Sequence, residues 1–378
     1  MALVIGLIYG HNENWIAGSY YIQSLVSALK ALPGEPPQLN IYSEKQSEFD
    51  ELKSVTRYPD LKWIPLVDQN TIIDRIINKI SYILLNRHFV VRGLNVNVDV
   101  IFPATNTYFF ERIKKKLFWI PDFQEHYYPH LFSASEIQRR KKFQLQLIDS
   151  NYPIVFSSQH AAYNFSTLYP RANNQVFVMP FAVTLPDLNG IKIEALRFKY
   201  GISENYFICS NQFWAHKNHL IVLKALLSLQ KKNFPMKLVF TGKLYDDRNP
   251  EYFPSLERFV IQNRLEDSVK FLGFIDRTEQ LVLMKNCLAV IQPSLFEGWS
   301  TVVEDAKALD VPILVSDIPV HHEQLGEYPF FFSIDDDVEL ARLMRGMREQ
   351  KVKQPSFDYQ KQITDFGLTF LQIVRQIQ

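Results

Sequence analysis

Residues 289–317 read AVIQPSLFEGWSTVVEDAKALDVPILVSD, and the order of residue types in this stretch decides the fold. It opens on an apolar run of the length of a buried strand, closed by Pro293 and Ser294. Glu297-Gly298-Trp299-Ser300-Thr301 follows as a compact loop. Thr301 with Glu304 is a capping-box signature, and Val302, Val303, Ala306 and Leu309 supply apolar helix positions. Asp310 and Pro312 stop the helix, and Ile313-Leu314-Val315 is a second buried strand. In a parallel sheet this unit aims a helix N-terminus at the crevice beyond the strand ends. Such a terminus presents free N–H groups and partial positive charge, which suit a phosphate. Glu297 stands at the lip of the same crevice, where it can hold hydroxyl groups. A phosphate seat beside a hydroxyl-binding carboxylate is what an enzyme using nucleotide-activated sugars needs.

The same alternation extends through the chain. Its 378 residues favour two domains, and 47% hydrophobic residues suffice for two cores. Leu3–Tyr9 reads as a first strand, followed by a helix with Tyr21, Leu25, Val26 and Leu29 on one face. Further strands are expected at Leu39–Tyr42, Val98–Phe102, Lys116–Ile120, Ile154–Ser157 and Val176–Val183, with a basic helix over Ser135–Ile148. Pro186–Lys199 carries few core positions and reads as the linker. Strands at Tyr206–Ser210, Lys237–Thr241 and Val269–Leu272 then alternate with helices at His219–Gln230, Pro254–Asn263 and Thr278–Asn286. A last helix spans Tyr359–Ile377, with Phe366, Phe370, Ile373 and Ile377 on one side. The expectation is α/β architecture: two doubly wound domains, 1–185 and 186–358, facing each other across a cleft.

A net charge of +1 gives no reason to expect a nucleic-acid partner. Cys209 and Cys287 lie in apolar runs and read as buried thiols. No segment approaches the roughly 20 apolar residues of a membrane span. Ala2–Tyr9 is short for a signal sequence and lacks a basic leader, so a soluble cytosolic chain is expected.

Lys217, in SNQFWAHKNH, stands between a strand and a helix and can neutralise a diphosphate; it reads equally as a solvated lysine. Gln212, five residues earlier, can donate to the same phosphates or serve as a structural amide. Asp305 shares the loop-facing side of its helix with Thr301 and can accept from ribose hydroxyls, whereas capping accounts for Glu304. Within WIPDFQEHYYPH, at a strand's carboxyl end, Asp122 and His126 can orient the acceptor or the transferred sugar. Asp246-Asp247 and Asp335-Asp336-Asp337 read as solvated rather than metal-binding. The basic runs Lys114–Lys116 and Arg139–Lys142 are solvated faces that can also touch anionic lipid.

PSLFEGWSTVVEDAKALDVPILVSD resembles the donor-site motif of the retaining glycosyltransferases of family four, which have the two-domain GT-B fold. SNQFWAHKNH, LVFTGK, VKFLGFIDRTEQL and WIAGSYYI match further in the expected order. The resemblance implies that Glu297 contacts the transferred sugar and that Lys217 binds the diphosphate. It implies that the amides of Gly298, Trp299, Ser300 and Thr301 hold sugar and phosphate oxygens. Backbone at Gly273, Phe274 and Ile275 would meet the base, Gly18 would let the N-terminal loop approach the phosphates, and the last helix (359–378) would return to the first domain. Two departures stand out: Asp305 occupies the place of the second glutamate, and Gln212 that of an arginine.

The function expected is retaining transfer of a sugar from a nucleotide diphosphate to an acceptor hydroxyl, without metal or other cofactor. The acceptor would be a growing surface polysaccharide or a lipid-linked glycan, met in the cytoplasm or at the membrane's cytoplasmic face. A sugar-nucleotide epimerase using Asp122 and His126, or a non-catalytic sugar-nucleotide binder, are the rival readings.

Overall fold

The computed structural model describes residues 3–10, 16–66, 71–85, 97–104, 113, 115–349 and 355–377. The first domain runs β1 (Val4–Ile8), α1 (Ile16–Ala31), β2 (Gln38–Ser43), α2 (Gln46–Thr56), β3 (Leu61–Pro65), α3 (Ile72–Leu85) and β4 (Val100–Phe102). It continues with β5 (Phe118–Ile120), a one-turn α4 (Gln124–Tyr127), α5 (Ala134–Ser150), β6 (Ile154–Phe156), α6 (Gln159–Leu168) and β7 (Val176–Val178). Strands β3-β2-β1-β4 pair in parallel, as do β5-β6-β7. A bridge between Ile101 and Lys116 connects the two sets.

The second domain holds α7 (Ile193–Tyr200), β8 (Phe207–Ser210), α8 (His219–Lys231), β9 (Leu238–Thr241), α9 (Tyr252–Gln262), β10 (Val269–Phe271) and α10 (Arg277–Lys285). It closes with β11 (Val290–Gln292), α11 (Thr301–Ala308), β12 (Ile313–Ser316), α12 (Pro319–Leu325), β13 (Phe331–Phe332) and α13 (Asp337–Glu349). Its sheet is parallel throughout, in the order β10-β9-β8-β11-β12-β13. Strands reading FICS, LVFT and ILVS are buried along their whole length because helices cover both faces. The strand order reverses between β8 and β11, so their loops diverge and open a crevice at the carboxyl edge. This is the α/β architecture read from the sequence.

The last helix, α14 (Tyr359–Gln376), crosses back and packs on α1. Phe366, Phe370, Ile373 and Val374 share one core with Tyr21, Leu25, Leu29 and Phe102. Gly367 makes this approach possible, since a Cβ there would stand 3.0 Å from the carbonyl oxygen of Ala28.

Several local expectations change. The strand expected over 176–183 ends at Val178, and the expected linker contains α7, which buries Leu196 alone and so carries little apolar signal. Lys116 is buried, with Nζ 5.1 Å from the Tyr152 ring centre, rather than solvated; Lys114 lies outside the described residues. Asp246 is likewise buried, with Arg248 Nε 3.0 Å from its Oδ1. Asp336 accepts from the Glu339 amide (2.8 Å) at the start of α13, so that cluster begins a helix.

Candidate active site

The crevice between the domains is lined from both sides. Ile16, Ala17 and Tyr20 of α1, with Pro121 and Asp122 after β5, face Lys217, Phe274, Ile275 and the segment Phe296–Val302. Two contacts hold the loops together: Trp299 Nε1 donates to the Phe181 carbonyl (3.0 Å), and the Tyr128 hydroxyl donates to the Leu295 carbonyl (3.2 Å). Gly298 lies so close to the first domain that a Cβ would overlap the Pro121 carbonyl and come within 3.0 Å of Asp122 Cβ.

At the centre, Lys217 Nζ lies 2.6 Å from Glu297 Oε1, with 13% and 8% of the two side chains exposed. Gln292, at the end of β11, donates to the same oxygen (2.7 Å) and is itself held by Asn211 Nδ2 (2.8 Å). Glu297 Oε2 makes no hydrogen bond among the described residues, which leaves an acceptor facing the cleft. An ammonium has three donors, so Lys217 can keep Glu297 and still reach an incoming anion. The parallel sheet brings these groups together: Lys217 follows β8, Glu297 follows β11, and the two strands are neighbours. Beside them His216 is buried, and its Nδ1 has no partner among the described residues. Burial, with Lys217 and Arg248 nearby, pushes its pKa well below the ordinary value and keeps the ring neutral.

Helix α11 begins one residue earlier than the capping box implied. Ser300 is the N-cap, its side chain accepting from the Val303 amide (3.4 Å). Glu304 therefore falls one position too far along to close a box. It is buried and bound by Lys307 (3.1 Å), Gln324 Nε2 (2.9 Å) and the Tyr359 hydroxyl (2.9 Å). The Ser300 amide is also engaged, donating to Gln324 Oε1 (3.1 Å), and so is not open to a ligand. The amides of Thr301 and Val302 precede the first internal bond of the helix, Glu304 N to Ser300 O, and both residues line the cleft.

Asp305 reaches the cleft, but both its carboxylate oxygens are taken by Arg277, the first residue of α10, with Nη1 2.7 Å from Oδ2. The Arg277 guanidinium in turn lies over the Tyr20 ring, 4.6 Å from its centre. The expected free acceptor is thus one half of a bidentate pair, and Arg277 belongs to the site although the sequence did not single it out. Breaking a buried pair from one side costs about 3–5 kcal/mol, because the remaining charge is left uncompensated. Asp305→Asn is therefore expected to lower the unfolding free energy by that order, read as a fall in the denaturant midpoint. An unchanged midpoint would show that Arg277 finds another partner.

The remaining expectations divide. Gln212, Phe274, Ile275, Gly298, Trp299, Ser300 and Thr301 line the cleft with Lys217 and Glu297, as does Asp122. Burial, opposed by the Gln124 amide on its Oδ1 (3.0 Å), raises the Asp122 pKa. His126 does not line the cleft; its Nε2 lies 3.3 Å from Gln144 Oε1 on α5, because one turn of α4 carries the ring away. The neighbouring Glu125 is buried instead, accepting from Gln144 Nε2 over 2.6 Å. Gly18 lies inside the first turn of α1 rather than in a loop, and Ile16, Ala17 and Tyr20 supply that wall; Trp15 falls outside the described residues. Gly273 is set back from the cleft, its carbonyl accepting from the Gly242 amide (2.9 Å).

Comparison with known proteins places these features. Residues 192–362 match the family model described as Glycosyl transferases group 1. The O-antigen chain mannosyltransferase RfbU of Salmonella typhimurium is 30% identical over 135 residues, 35% of this chain and 36% of that protein. Glycosyltransferase 1 domain-containing protein 1 of Xenopus tropicalis is 23% identical, over 50% of this chain and 55% of its own. The chain thus spans about half or less of these curated relatives. Among solved structures, a glycosyltransferase from Rickettsia africae covers 100% of this chain and 98% of its own at TM-score 0.66 and 15% identity. HepE from Anabaena, solved with UDP and glucose, covers 100% and 95% at TM-score 0.62 and 16% identity. The fold is therefore GT-B, and the resemblance read from the donor-site motif is borne out as a match to the group 1 glycosyltransferases.

Proposed function

We propose that this chain, a group 1 glycosyltransferase relative of GT-B fold, moves a sugar from a nucleotide diphosphate to an acceptor hydroxyl with retention at the anomeric carbon. The observation that carries this reading is the Lys217–Glu297 pair beside the N-terminus of α11, at the strand-order reversal. In it, Glu297 Oε2 accepts from a hydroxyl of the transferred sugar. Lys217 and the Thr301 and Val302 amides meet the diphosphate as its charge develops, which is electrostatic stabilisation by groups already in place. The bond broken joins the anomeric carbon to the phosphate oxygen, the bond formed joins it to the acceptor oxygen on the same face, and the acceptor's hydroxyl proton passes to the departing diphosphate.

The first domain holds the acceptor, and Asp122, which it contributes to the cleft, orients that hydroxyl. The relatives favour a surface polysaccharide, since RfbU is an O-antigen chain mannosyltransferase. An epimerase would need a second acid or base beside Asp122, and His126 does not supply it.

A panel of sugar nucleotides, starting with UDP-sugars, tests the reading by thermal shift, because a ligand of the native state alone raises its melting temperature. Incubation with a glycan acceptor should then release the nucleoside diphosphate. Binding without release would leave a non-catalytic sugar-nucleotide binder. Because Lys217 and the helix N-terminus supply the positive charge, transfer should persist in EDTA. Complete loss in chelator, restored by magnesium or manganese, would assign that charge to a metal.

A further inference from the structure

Helix α3 is built the wrong way round for a helix that faces water. Its buried positions are Asp74, Asn78 and Ser81, one polar stripe at helical spacing. Its exposed positions include Ile72, Ile73, Ile76, Ile77, Ile80, Ile83, and two leucines, with Ile72 at 77% and Ile83 at 73% exposure. Part of the inward polarity is explained locally: the Asp74 carboxylate accepts from the Thr71 amide and hydroxyl, both at 2.8 Å, and so closes the helix start. The outward isoleucines have no such local reason. A contiguous apolar patch of this kind marks a surface that something covers.

The setting indicates what covers it. Lys79 projects from the same helix. Its last turn meets α5, where Gln146 Nε2 donates to the Tyr82 hydroxyl (3.3 Å) and Lys142 Nζ sits 5.8 Å from the Tyr82 ring centre. Lys141, Lys142 and Leu145 line the groove between the two helices, with Asp149 as its acidic member, and Arg139 is 79% exposed nearby. An apolar stripe beside clustered Lys and Arg is the composition of a helix that lies in a membrane interface and attracts anionic headgroups. Among the described residues no helix is long and apolar enough to cross a membrane, and α3 has only 14 residues. A second copy fits less well, because an isologous contact would press this cationic patch against an identical cationic patch.

We infer that α3 docks on an anionic membrane surface, its isoleucines among the acyl chains and the lysines of α3 and α5 at the headgroups. It is a docking face of the acceptor-side domain and in that respect rests on the reading above, but vesicle binding does not depend on transfer.

The full chain is sedimented with vesicles of phosphatidylglycerol and phosphatidylcholine, and with phosphatidylcholine alone. Binding should require the anionic lipid and weaken with salt. Ile76→Ser with Ile80→Ser should reduce the partition coefficient at least about tenfold, since each change removes a buried hydrocarbon side chain. These positions are exposed, so the melting temperature should hold. Lys141→Ser with Lys142→Ser leaves the apolar face intact and should reduce binding to the anionic vesicles alone. Wild-type protein that ignores anionic vesicles, or an isoleucine variant that binds as well as wild type, overturns the inference. So does a dimer in solution that the isoleucine variant dissolves, without vesicle binding. Vesicle binding in a protein that transfers no sugar overturns the proposed function and leaves this inference standing.

Discussion

Lys217→Ala is expected to slow transfer by about 10²-fold or more, the scale of removing one preorganised electrostatic group. The lysine sits 2.6 Å from Glu297 and has no other partner among the described residues, so its remaining donors face the cleft. Truncation removes the cation that would meet the leaving diphosphate. It also leaves Glu297, 9% exposed, with Gln292 as its one side-chain donor among the described residues. Both effects act on the same step, because a repelled or displaced carboxylate no longer holds the sugar. The check is initial rate at saturating donor, on protein whose circular dichroism matches wild type. A rate within about threefold of wild type would falsify the assignment. Gln212→Arg is the companion measurement: it lines the same cleft, and a guanidinium there should tighten donor binding.

Gly298→Ala should be comparably damaging for a purely geometric reason. The added methyl would overlap the Pro121 carbonyl and crowd Asp122, both of the first domain. Either the loop carrying Glu297 and Trp299 retreats or the domains part. A misplacement of about 1 Å at a reacting centre can cost about 10²-fold. If the domains part, the proposed donor groups Lys217, Glu297 and the Thr301 and Val302 amides stay together in the second domain, so donor affinity should change little while turnover collapses. Wild-type turnover in Gly298→Ala would mean that the two loops separate during the reaction cycle and that the contact carries no catalytic weight.

Much of this site was legible because its signals are local. The strand, loop, helix, strand unit of residues 289–317 appears as β11, α11 and β12, and the lysine loop after β8 stands opposite it. What escaped depended on register or on partners distant in sequence. Ser300 and Thr301 are both good N-caps, and choosing between them moves Glu304 by one position, from a capping role to the buried cluster with Lys307 and Tyr359. Arg277 lies 28 residues from Asp305, and nothing in either neighbourhood announces their pairing. His126 was placed by its company in a polar loop, yet its exposure depends on a single helical turn. Helix α3 went unread for a different reason: its apolar stripe points outward, against the rule by which stripes are matched to cores.

The return of α14 also bears on how the protein is made. The first domain cannot complete its core until Phe366, Phe370, Ile373 and Val374 arrive, and these are made after the whole of the second domain. The second domain, contiguous from α7 to α13, can finish folding while the first still exposes the groove beside α1. Completing the first domain means closing a loop of several hundred residues, whose entropic cost grows only slowly with length. Order of synthesis and order of completion are therefore opposed here. A growing chain carries an unfinished N-terminal half until α14 seats against α1.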